Sequence, residues 1–217
     1  MTHSLHRTGS VEDLKGDFVF IIRIASGFDK DALAPKMRRM AEILASLKPC
    51  NMGSTDLGGT MAAGLSTEEL VERAWGARGV YCAFTTREQA KEALRQIKEA
   101  DLGLCVTVSG LINEVFAIGS EIGLPPHTIN QSLGVMGKTE LLPEQDLLDL
   151  TTMCGHATVS TALTRKVVDD YVSGRITVEQ AVSILGEPCV CGIFNLERAK
   201  RKLSAISGQQ SAISSQL

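Results

Sequence analysis

The stretch Asp17–Ala25, with the sequence DFVFIIRIA, is the clearest fold signal in this chain. It is rich in β-branched and aromatic residues, which is the composition of a buried β-strand. Three further stretches share this character and predict strands at Gly79–Thr85, Leu102–Val108 and Thr128–Val135. We therefore expect a sheet of about four strands.

Helices are predicted between these strands by apolar residues that recur every three or four positions. The first such stripe consists of Met37, Met40, Ala41, Leu44 and Leu47. Capping boxes at Ser66–Glu69 and Thr86–Gln89 mark the starts of the next two helices. Because strands that alternate with helices are usually joined by crossover connections, the sequence predicts an α/β fold with a mostly parallel or mixed sheet flanked by helices.

The pattern divides the chain into four parts. Residues 1–16 are polar and are predicted to form a flexible N-terminus, and residues 17–142 are predicted to form the α/β domain. After Pro143 the pattern is helical only, so residues 143–203 are predicted to form a helical subdomain. The low-complexity residues 204–217 are predicted to be a disordered tail.

Composition and charge limit the classes of partner. The chain has 217 residues, of which 44% are hydrophobic and 22% charged, as in ordinary globular proteins. Its formal net charge of −3 gives no general attraction to nucleic acid. No run approaches the roughly 18 apolar residues of a membrane span, so we expect a cytoplasmic protein without a membrane partner. The remaining partners are an unknown small molecule, a partner protein or a second copy in a homo-oligomer.

A set of cysteines and a histidine in the C-terminal third is the most distinctive chemical feature. Cys154 and His156 stand at the predicted start of a helix, where backbone N–H groups and the helix dipole stabilise a thiolate. Cys189 and Cys191 follow a shorter return helix. At ~1.5 Å per helical residue, the hairpin and its extended link bring Cys189 back near Cys154.

Three thiolates and one imidazole are suitable ligands for a metal. Cys154, His156, Cys189 and Cys191 match the donor set of a closed tetrahedral zinc site, and three cysteines also suit an iron–sulfur cluster. Cys50 is the reserve ligand if a fourth thiolate is required. The predicted cofactor is therefore an iron–sulfur cluster or zinc, and the two remain alternatives because both accept these ligands.

The segment Met153–Val159 (MCGHATV) resembles the sequence around the catalytic cysteine of the proline racemase family and of the related phenazine-biosynthesis isomerase-like proteins. That resemblance implies an acid/base role for Cys154, with His156 as its neighbour in the site. It covers about seven residues. The second catalytic cysteine of the racemases lies in an Asp-Arg-Ser/Thr-Pro-Cys-Gly context, and the segment Cys189–Gly192 lacks that aspartate and arginine.

Three functions follow from these observations. The first is a metal- or iron–sulfur-binding cytoplasmic protein, either an enzyme or an accessory factor in redox chemistry or cofactor handling. The second is a metal-free thiol enzyme, isomerase- or transferase-like, with Cys154 as acid/base or nucleophile and His156 as its partner. The third is a non-catalytic interaction protein whose cysteines are packed in the core.

Overall fold

A computed structural model describes residues 3–214, with the side chains of residues 4–208. Its strands are β1 (Phe18–Arg23), β2 (Asn51–Ser54), β3 (Gly59–Thr60), β4 (Gly79–Phe84) and β5 (Cys105–Ser109). Its α-helices are α1 (Val11–Leu14), α2 (Ala34–Ser46), α3 (Thr67–Arg73), α4 (Arg87–Ala100), α5 (Ile112–Glu121), α6 (Gln145–Thr151), α7 (Thr161–Val172), α8 (Val178–Gly186) and α9 (Leu196–Ser214).

The sheet is antiparallel throughout, so the prediction of a mostly parallel or mixed sheet is wrong. Within the described residues it has five strands in the order β3-β2-β4-β1-β5, and every neighbouring pair is antiparallel. The prediction of about four strands is wrong as well. Two short strands, β2 and β3, lie in the glycine-rich stretch after α2, and Thr128–Val135 contains no strand.

The error has a physical cause in how the strands interleave. Because β4 is antiparallel to both β1 and β2, those two strands run in the same direction, as a helical crossover requires. However, β4 lies between them. The strands β4 and β5 are related in the same way, with β1 between them. Each crossover therefore joins strands that are not neighbours, which is the split βαβ arrangement.

Both faces of the sheet are covered, and alternate residues of β1 serve opposite cores. Phe18, Phe20 and Ile22 face a cluster built with α2, α3 and α4, while Val19 and Ile21 face a cluster built with α6 to α9. A strand buried on both faces needs apolar residues at every position, so its sequence is a continuous apolar run. Such runs are typical of parallel sheets, but here they reflect a double cover of helices.

The segments at both ends of the chain contribute to the fold. Within residues 1–16, where a flexible segment was expected, the structure contains α1 and several hydrogen bonds to residues far along the chain. The helix α9 continues to Ser214 through most of the expected disordered tail, while residues 215–217 lie outside the described part. No helix within the described residues is long and apolar enough to cross a membrane.

Candidate functional site: a cluster of three buried thiols

Three of the four predicted ligands lie together beneath the sheet. Cys154 lies in the turn after α6, and Cys189 and Cys191 lie in the link between α8 and α9. The sulfurs of Cys189 and Cys191 are 3.7 Å apart, and Cys154 lies close enough to Cys189 to shift its pKa. The three residues are only 2%, 0% and 1% exposed. We call them the thiol cluster.

The link that carries Cys189 and Cys191 is folded into a turn against strand β2. The N–H of Cys189 donates to the carbonyl of Gly186 at 3.0 Å, and the N–H of Gly192 donates to that of Cys189 at 3.4 Å. Gly192 has a φ of +74°, and a Cβ at this position would lie 2.4 Å from the backbone nitrogen of Gly53. Only glycine fits this turn, which fixes the two sulfurs on the same side of the link.

The sequence predicted that Cys154 stands at the start of a helix, but in the structure it does not. The helix α7 begins at Thr161 and is capped by Ser160, so Cys154 instead follows the C-terminal end of α6. The dipole at a helix C-terminus disfavours a negative charge. The Cys154 sulfur is also 2.9 Å from the hydroxyl oxygen of Thr158.

His156 is separated from the cluster by its environment. Its side chain is exposed, whereas the three thiols are buried. Cys50, the reserve ligand, bonds instead to the Oδ1 atom of Asn195 at 3.3 Å, and burial raises its pKa to about 12. The hairpin therefore brings together Cys154, Cys189 and Cys191, but it does not add a buried imidazole.

The predicted metal site has no complete set of ligands in this arrangement. Among the described residues, no group of three or more histidine, cysteine, aspartate or glutamate side chains is arranged to hold a metal ion. Zinc or an iron–sulfur cluster stays a prediction.

Hydrogen bonds among the three thiols shift their pKa values in different directions. A hydrogen bond with Cys189, together with burial, raises the pKa of Cys154 to about 12. The same bond lowers the pKa of Cys189, but the bond to Cys191 and burial outweigh it, and the pKa of Cys189 is raised. The hydrogen bond with Cys189 is the main reason why the pKa of Cys191 is lowered despite burial. The negative charge of the cluster is therefore expected on Cys191.

Two other groups favour a thiolate at Cys191. The backbone N–H of Ile193 is hydrogen-bonded to it, and the positive charge of Arg7 acts on it through space. Arg7 donates from Nη2 to the carbonyl oxygen of Ile193, and its Nη1 atom is 3.3 Å from Oδ2 of Asp17. An arginine from the N-terminal segment thus adjoins the link that carries the two cysteines.

The buried charges around Arg7 connect the N-terminal segment with α6 and α9. Arg198 is fully buried and pairs with Asp17 at 3.1 Å and with Asp13 at 2.6 Å. Asp149 in α6 pairs with Lys202 in α9. Sequence reasoning missed Arg7 and its neighbours because their partners lie far along the chain, 186 positions away for the bond from Arg7 to Ile193. Local periodicity carries no signal for such contacts.

Comparison with known proteins gives no assignment. No family model, no curated protein and no solved structure matches this chain. The local resemblance of Met153–Val159 to the racemase segment therefore has no support over the rest of the chain. The thiol cluster itself is the basis on which a function can be proposed.

Proposed function

We propose that this chain is a thiol–disulfide redox protein in which Cys189 and Cys191 form the redox pair. The observation that carries the proposal is the 3.7 Å separation of two free thiol sulfurs whose residues are two positions apart in the chain. A disulfide requires ~2.05 Å between sulfurs, so the turn must close by less than roughly 2 Å. The hydrogen-bond order supports Cys191, rather than Cys154, as the nucleophile.

The reaction needs a disulfide as co-reactant, either a small molecule or a protein. The Cys191 thiolate attacks one sulfur of that disulfide, so that a mixed disulfide forms and the first thiolate leaves. Cys189 gives its proton to this leaving thiolate and then attacks the Cys191 sulfur, which releases the second thiolate. The two protein cysteines are oxidised to one disulfide, and the co-reactant is reduced to two thiols.

Cys154 would act on this chemistry through Cys189. In this scheme the S–H of Cys154 donates to the Cys189 sulfur and stabilises Cys189 when that residue becomes a thiolate in the second step, and the hydrogen bond between the two residues supports this role. Cys154 is therefore a positioning residue, not a nucleophile. This role differs from the one that the local resemblance implied.

The proposal is tested by equilibrating the purified protein in buffers of defined thiol-to-disulfide ratio, trapping it with acid and mapping the cysteines by mass spectrometry. We expect one disulfide between Cys189 and Cys191, with a single midpoint potential. The variant Cys191→Ser should abolish it, whereas the control Cys82→Ser, in the opposite core, should not. Cysteines that stay reduced at every ratio would show that they are merely packed.

A metal assay on the same preparation separates the redox proposal from the predicted metal site. Protein purified without oxygen should contain free thiols at all three positions. Stoichiometric zinc, or iron with sulfide, that disappears in the Cys189→Ser, Cys191→Ser double variant would contradict the redox proposal and favour a metal site.

A further inference from the structure

The thiol cluster is buried too deeply for its proposed chemistry. Its residues are at most 2% exposed, and an attacking thiolate must reach a sulfur of its co-reactant. Some part of the structure must therefore move. The segments that carry the thiols are the end of α6 with the turn to Cys154 and the link from Cys189 to Ile193.

One short segment, Arg7–Thr8–Gly9, is bonded to both of these parts. The N–H of Thr8 donates to Oγ1 of Thr152 at 3.0 Å, and its hydroxyl donates to Oδ1 of Asp149 at 3.0 Å. These two acceptors lie in and beside α6, at most five positions before Cys154. On the other side, Nη2 of Arg7 donates to the carbonyl of Ile193, two positions after Cys191.

The attachment is polar rather than hydrophobic. The carbonyl of Thr8 accepts from Nη2 of Arg198, and Gly9 passes so close that a Cβ there would lie 2.4 Å from the same nitrogen. Bonds of this kind break locally without loss of a hydrophobic core, since each contributes modestly to stability. A segment held in this way can detach while the sheet remains folded.

The closed position also contains unsatisfied donors. The Arg7 side chain is 6% exposed, yet Nε and Nη1 have no hydrogen-bond acceptor among the described residues, although Nη1 remains near Asp17. A buried donor without an acceptor is unfavourable compared with the same donor in water. Release of the segment would hydrate these groups, which lowers the free-energy cost of opening.

We propose that Arg7–Thr8–Gly9 is a detachable clasp that closes over the thiol cluster and admits a disulfide co-reactant when it is released. The clasp joins the Cys154 side of the cluster to the Cys191 side, so its release frees both at once. This inference rests on the proposed redox function for its purpose. The claim that the clasp controls access to the three thiols does not depend on that function.

The test is the rate at which each cysteine reacts with excess iodoacetamide in the native, reduced full-length protein, followed by mass spectrometry. The variant Thr8→Val keeps the shape of the side chain but removes the hydroxyl that bonds Asp149 and contacts Thr152. We expect alkylation of the thiol cluster to accelerate roughly tenfold, as loss of one or two hydrogen bonds predicts. A second variant, Thr152→Val, removes the acceptor for the Thr8 N–H and should accelerate it as well.

Two controls distinguish local opening of the clasp from unfolding of the whole protein. Cys82 is fully buried in the other core and reacts only when the sheet unfolds, so its rate should not change. Lys15→Gln breaks an exposed ion pair with Glu12 in the same N-terminal region and should leave every rate as in the wild type.

The clasp is overturned if both threonine variants react like the wild type, or if Cys82 accelerates in step with the thiol cluster. Failure of the redox proposal gives a different result. In that case the thiols would become more accessible in Thr8→Val, but no Cys189–Cys191 disulfide would form in the redox buffers.

Discussion

At the scale of single residues, the role of each cysteine is set by what its sulfur contacts. Cys82, Cys154, Cys189 and Cys191 are all buried, and burial by itself raises the pKa of a thiol. Of these four, only Cys191 has a lowered pKa, mainly because of its hydrogen bond with Cys189. The sequence predicted that the three cysteines cluster with His156, and its metal-free alternative made Cys154 the reactive thiol, partly on the basis of a helix start that the structure does not contain.

The donor role of Cys189 is testable with a matched pair of variants. Cys189→Ala removes the bond to Cys191, so the pKa of Cys191 should rise and its alkylation rate at neutral pH should fall roughly tenfold. Cys189→Ser retains a hydroxyl donor and should show a smaller loss. The measurement is the pH profile of alkylation at Cys191, read by mass spectrometry. Equal profiles for the two variants would contradict the hydrogen-bond order.

Asp149 should make the fold sensitive to acid. Burial would raise its pKa, but hydrogen bonds from Lys202, Gln145 and Thr8 outweigh burial, and the pKa is lowered. Its charge therefore stabilises the folded state above the ordinary aspartate range, and this contribution is lost as the pH falls through and below that range. Urea unfolding should show Asp149→Asn less stable than the wild type by about 1–2 kcal/mol at pH 7, with the difference shrinking in acid. If the difference in free energy of unfolding between the two proteins did not change with pH, the stabilising role of the Asp149 charge would be contradicted.

At the scale of elements, periodicity located helices well and turns poorly. The return helix was expected before Cys189, and α8 covers Val178–Gly186. The preceding helix begins later than expected because Gly155–Ser160 form a turn in which Ala157 has a φ of +56°. Turn conformations depend on tertiary contacts, which a local pattern does not report. The cysteines still come together although the link is a turn and not extended, because α7 begins only at Thr161 and is shorter than the arithmetic assumed.

The turn at Gly192 can be tested against a second glycine of the same conformation. Gly192→Ala combines a φ of +74° with a Cβ that overlaps the backbone of β2, so we expect a loss of about 3 kcal/mol or more in the free energy of unfolding. Gly174 has a φ of +73°, but a Cβ added there would meet no atom within 4 Å. Gly174→Ala should cost only about 1 kcal/mol. Similar losses in denaturant titrations would remove the argument that the turn is fitted to the sheet.

At the scale of the whole molecule, the α/β composition was accessible from the sequence, but the strand order was not. The strand predicted at Asp17–Ala25 and the helices and strands around it are encoded by local sequence patterns. The insertion of β4 between β1 and β2 is instead decided by pairing between strands that are distant in the chain. The segment Thr128–Val135 shows the limit of composition. Its residues favour a strand, yet they lie in an exposed connection in which Leu133 is 87% and Met136 is 73% exposed.

This exposed connection should tolerate polar substitutions. The double variant Leu133→Ser, Met136→Ser should change the free energy of unfolding by no more than roughly 0.5 kcal/mol, since both side chains are already in water. Leu150→Ala, at a fully buried position, should cost about 2–5 kcal/mol. Chemical denaturation of the three proteins at equal concentration gives the comparison. A large loss in the double variant would mean that the connection is covered in solution.

The distance along the chain between Thr8 and Arg198 has a consequence for biosynthesis. These residues are 190 positions apart, and Thr8 and Thr152 are 144 apart. Translation must therefore reach residue 198 before Thr8 can find all of these partners. Until α9 has left the ribosome, the core around Cys154, Cys189 and Cys191 is incomplete. The three thiols are then not yet buried, and oxidants in the surroundings can reach them. The nascent chain is thus expected to be most open to premature oxidation in the interval between the synthesis of Cys191 and the folding of α9.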